Sequence, residues 1–68
     1  MKHEDKQEIC DLLLPALQAT RGLYDLEKLD FDAHSETVTA WFPGGAKIIN
    51  VALDSGTAMI VDIMKRLA

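Results

Sequence analysis

The chain has a single cysteine, Cys10, in 68 residues. An internal disulfide is therefore impossible. A cysteine-rich zinc site is excluded too, because it needs several thiolate or imidazole ligands. His3, His34 and Cys10 are the available non-carboxylate ligands, and they show no paired spacing. A lone thiol fits a reducing cytoplasm better than a secreted setting. Long apolar runs are also missing. The longest, Leu12-Leu13-Leu14 and Ala58-Met59-Ile60-Val61, fall far short of the roughly 20 residues that span a bilayer. The opening Met-Lys-His-Glu-Asp-Lys-Gln-Glu is polar, without the apolar segment of a signal peptide. A soluble, cytoplasmic protein without membrane association is expected. Positive charge is scarce, with seven Lys and Arg against eleven Asp and Glu, a net of −4. Residues 1–36 hold nine acids and four bases, whereas 37–68 hold two acids and three bases. Between Asp25 and Glu36, Lys28 is the lone base among Asp25, Glu27, Asp30, Asp32 and Glu36. Such a segment repels phosphate backbones, so direct nucleic-acid binding is not expected.

What is present is the composition of a folded domain, 49% hydrophobic and 26% charged, well outside the disordered class. The length allows one compact domain, residues 1–68. A chain this short buries only about 60% of the surface its unfolded form exposes. With disulfides and zinc excluded, it depends on tight packing or self-association.

The hydrophobic period changes twice along the chain. Ile9, Leu12, Leu13, Ala16, Leu17 and Thr20 share one face of a helix, at a spacing of 3.6 residues. Glu4, Asp5 and Glu8 lie near its start, where carboxylates favour the positive end of the helix dipole. Gly22 after Arg21 reads as a C-terminal cap. Pro15 cannot donate to the carbonyl of Asp11, which predicts a kink. From Leu26 to Leu53 the period becomes two. Leu29 and Phe31 alternate with acids and Lys28, then Val38, Ala40 and Phe42 alternate with Thr37, Thr39 and Trp41. Asp32–Glu36 and Phe42-Pro43-Gly44-Gly45 read as turns. The third run, Ala46–Leu53, places Ile49, Val51 and Leu53 on one face. Asp54-Ser55-Gly56-Thr57 caps a second helix, whose inward stripe is Ile60, Ile63, Met64 and Leu67, with Met59 and Val61 at its edges. The fold class is α+β, in the order αβββα. Three antiparallel strands form a meander, and both helices pack on one face.

Strand alternation then sends Trp41 to the uncovered face, beside Thr37, Thr39 and Ile48. Tryptophan is enriched at interface hot spots, so these four residues form the candidate interface. Leu14 and Cys10 widen the apolar arc of the first helix. They either lie under the second helix or, with Leu14, extend the contact surface. Asp30, Asp32, His34 and Glu36 alternate like a metal loop, but an EF-hand needs glycine at its sixth position and glutamate at its twelfth. Counted from Asp30, those places hold Ser35 and Trp41. A solvated turn is the better reading. The segment from Asp54 to Thr57 lacks the lysine and glycine spacing of a P-loop. No catalytic residues, cofactor or metal are assigned.

The αβββα order resembles the double-stranded RNA-binding domain, which implies that architecture. That family carries a basic, glycine-spaced lysine motif at the start of its second helix. Here the corresponding place reads Asp54-Ser55-Gly56-Thr57-Ala58-Met59, with no lysine, which speaks against the activity. Arg21-Gly22-Leu23, the glycine turn after the second strand, and the run from Asn50-Val51-Ala52 to Ala58-Met59-Ile60 resemble small uncharacterised proteins of Gram-positive bacteria and their prophages or mobile elements. That resemblance implies a compact accessory protein and no mechanism. The resulting expectation is a small non-enzymatic interaction module, a homodimer or the binder of another protein, that associates through the sheet face around Trp41. The alternative is an accessory of a nucleic-acid-processing complex, of phage or mobile-element origin, that acts through protein contacts.

Overall fold

Two capped helices bracket three strands. The computed structural model describes residues 5–67, so His3 and Glu4, named above as ligand and helix-start candidates, lie outside the described residues. Helix α1 spans Lys6–Gln18. Asp5 opens it in extended conformation, its carboxylate accepting the Glu8 N–H at 3.1 Å, which satisfies one of the free donors of the first turn. The helix runs unbroken through Pro15 and ends with Ala19 as its C-cap. Gly22 lies beyond it, in the following turn at φ +93°, a backbone region that costs other residues energy.

Strands β1 (Lys28–Asp32), β2 (Thr37–Phe42) and β3 (Gly45–Asn50) follow. They form one antiparallel sheet in the order β1-β2-β3. Leu29 pairs with Ala40 and Val38 with Ile49, which sets the apolar face towards the helices. The meander is as expected, but the third strand ends earlier than its periodicity predicts. Asn50 Oδ1 accepts the Ala52 N–H at 2.9 Å, and the Asp54 N–H bonds to the Val51 carbonyl at 3.1 Å. These turn the chain out of the sheet, so Val51 is buried and Leu53 is fully exposed.

Helix α2 spans Gly56–Leu67. Ser55 caps it, with its carbonyl accepting the Met59 N–H at 2.8 Å and its Oγ the Ala58 N–H at 3.4 Å. Cys10 and Leu17 of α1, Met59, Ile63 and Leu67 of α2, and the inner face of the sheet make one core. Both helices are rotated from their expected orientation. On α1 the buried line runs through Cys10 and Leu17, leaving Leu12 and Ala16 exposed. On α2 it runs through Met59, Ile63 and Leu67, leaving Met64 exposed and Ile60 half-buried. Each apolar arc is wider than the contact available to it, so the period alone does not fix which part faces inward.

Candidate functional site

The sheet face without a helix carries three cross-strand rows. Lys28, Trp41 and Ala46 form one, Asp30, Thr39 and Ile48 the next, and Asp32, Thr37 and Asn50 the third. Alternation puts all nine side chains on that side, because Val38, Ala40 and Ile49 are buried on the other. Trp41 is 44% exposed and Ile48 67%. They are diagonal neighbours across β2 and β3, within reach of an aromatic ring. Thr37 and Thr39 are half-buried beside them. On the β1 side, Lys28 Nζ lies 3.1 Å from Asp30 Oδ2. The face thus has an apolar and hydroxyl centre and an acidic margin. Of the five expected interface residues, Trp41, Thr39, Thr37 and Ile48 come together here. Leu14 does not, since it sits on α1 packed against the core, on the far side of the sheet.

The two sheet edges are treated differently. Gln7 Oε1 accepts the Phe31 N–H at 2.8 Å, and Gln7 Nε2 donates to the Leu29 carbonyl at 3.3 Å and to Asp11 Oδ1 at 2.8 Å. Gln18 Nε2 donates to the Leu26 carbonyl at 2.9 Å. The amide of Gln7 therefore occupies backbone groups that a further strand would need. Sequence reading missed this pair. Its signal is that Gln7 and Gln18 lie three turns apart on the same side of α1. On β3, Lys47 lies on the same side of the sheet as buried Ile49 yet is exposed, a charge placed where it discourages edge-to-edge pairing.

The remaining candidates resolve into local structure. Asp32 Oδ1 accepts the N–H groups of His34 and Ser35 at 2.8 and 3.4 Å, so this carboxylate organises the β1–β2 turn. Among the described residues, no group of three or more His, Cys, Asp or Glu is placed to hold a metal. The first turn of α2 carries no base, and Lys65 and Arg66 lie in its last turn. At the head of the helix layer, Lys6 Nζ donates to the Val51 carbonyl at 2.9 Å and stands 5.8 Å above the Phe31 ring. Asp54 Oδ2 is shielded from solvent without a donor. Its carboxyl titrates above the ordinary range, chiefly through a hydrogen bond with the Asp62 carboxyl. Desolvation and the Asp62 charge add to this, and Lys6 opposes it. Burial, with the charges of Asp11 and Asp30, pushes the Cys10 thiol up to about 11, away from the thiolate that nucleophilic chemistry requires.

A second apolar surface lies between the helices. Ile9, Leu12, Leu13 and Ala16 of α1 and Ile60 of α2 line a groove of about 220 Å³. All five are residues that the helical period assigned to the interior. No helix among the described residues is long and apolar enough to cross a membrane. No protein-family profile, curated protein or solved structure matches the chain.

Proposed function

We propose that this chain is a small non-enzymatic interaction module that self-associates through the open sheet face around Trp41. The observation that carries this reading is half-exposed Trp41 beside its exposed diagonal neighbour Ile48 on a face that no element among the described residues covers. Edge pairing is the weaker route. Gln7 occupies β1, and Lys47 guards β3. The face is small. Three strands of this length cover roughly 300 Å² in projection, against the about 800 Å² per partner of a stable complex. The association is therefore weak, in the micromolar to millimolar range. Within a nucleic-acid-processing complex the same face would meet protein rather than phosphate, because Asp30 and Asp32 line its β1 side.

Trp41 is the sole tryptophan, so its fluorescence reports on this face directly. Raising the protein concentration should shift its emission to the blue as the indole leaves water. An emission maximum independent of concentration up to the millimolar range contradicts the reading.

A further inference from the structure

We infer that the groove between α1 and α2 is a second self-association surface, filled by the same surface of another copy of this chain. It does not depend on the sheet face.

The groove is walled by aliphatic side chains, and its about 220 Å³ is below the roughly 300 Å³ at which small-molecule pockets begin. It suits an inserted side chain better than a ligand. Leu12 stands at its rim, 71% exposed. The same patch therefore presents both an apolar knob and an apolar hole. Such a patch satisfies itself across a two-fold axis, where each residue's contact is repeated in reverse.

The charges favour that arrangement. Gln7 meets Leu29 and Phe31 while Gln18 meets Leu26, so α1 runs antiparallel to β1. Helix α2 returns along the sheet after β3, which is itself parallel to β1. The two helices thus run in the same direction, with Lys6 beside Val51 at their common head. Exposed Glu8 lies at the head of α1, and exposed Lys65 and Arg66 lie at the tail of α2. A two-fold crossing the groove obliquely sets the acidic head of one α1 on the basic tail of the partner's α2, twice over. The helix layer and the open sheet face lie on opposite sides of the molecule. Joined copies that use both build an open chain, as two contacts on opposite sides do not close.

The test is sedimentation velocity over a concentration series with native protein, Leu12→Gln, Trp41→Ala and their double variant. The groove contact alone gives a native dimer that Leu12→Gln abolishes and Trp41→Ala leaves intact. If the sheet face associates as well, native material passes beyond the dimer, each single variant stops at a dimer, and the double variant stays monomeric. The helix contact should weaken at least about tenfold in Leu12→Gln, given the apolar area it removes twice, and it should weaken with salt. Glu8→Lys and Lys65→Glu should each weaken it, and the two together should restore it. A native dimer lost in Trp41→Ala but unchanged in Leu12→Gln overturns the inference and leaves the sheet-face reading standing. The converse supports the inference and overturns that reading. A native monomer throughout overturns both.

Discussion

Glu36 holds φ at +54° at the end of the β1–β2 turn, a left-handed conformation that opposes an ordinary side chain. Glu36→Gly should raise the unfolding free energy by about 0.5–1 kcal/mol, the relief of that strain less glycine's greater unfolded freedom. Urea denaturation checks it, and a fall in stability would contradict it. At Asp54 the effect depends on pH. Its folded pKa is raised, so its favourable contribution is complete below the unfolded carboxylate pKa of about 4 and is lost as pH rises through the folded value. Asp54→Asn imitates the protonated form. It should melt above the native protein at pH 7, with the gap closing as pH falls towards 4. A gap that grows on acidification would show that the Asp62 contact has been misread. Cys10 is fully buried, its thiol pushed up to about 11. Iodoacetamide should therefore alkylate it only as fast as the fold opens, with urea accelerating the reaction. Rapid labelling of the native protein would contradict that burial. None of these three features could be read from residue type. Nothing in the sequence distinguishes Glu36 from the solvated acids around it, because its strain belongs to the turn geometry.

At the scale of elements, periodicity was enough to identify the strands and helices but not the phase of the helices. On α1, Ile9, Cys10, Leu12, Leu13, Leu14, Ala16 and Leu17 occupy most of the circumference. Any centre drawn through so wide an arc is poorly determined. The sheet selects Cys10 and Leu17, because Gln7 and Gln18 hold the helix by its other flank to β1 and Leu26. The residues left over form the groove. Strand β2 was legible for the opposite reason. Its alternation is strict, and a slip by one residue would bury both threonines and expose Val38 and Ala40. Two substitutions separate the roles of these faces. Leu12→Gln should change monomer stability by no more than about 0.5 kcal/mol, as an exposed position does. Met59→Ala should cost about 2–5 kcal/mol through the cavity it leaves. Chemical denaturation of dilute protein measures both, and a Leu12 cost equal to that of Met59 would place α1 in the other phase.

The whole molecule carries its core on one side of a three-stranded sheet and leaves apolar groups exposed on two opposite sides. A chain of this size has few ways to gain stability from its own core, and contacts with further copies add to it by mass action. The proposed contact of this kind is the one made by the Trp41 face. Its most direct test is sedimentation velocity of the native chain beside Trp41→Ala, from about 10 μM to 1 mM, the range that weak contacts require. The native mass should climb above the 7.5 kDa monomer, and Trp41→Ala, with an unchanged circular dichroism spectrum, should remain lighter at every concentration. A native chain that stays monomeric throughout, or a variant that sediments identically to it, would contradict the claim.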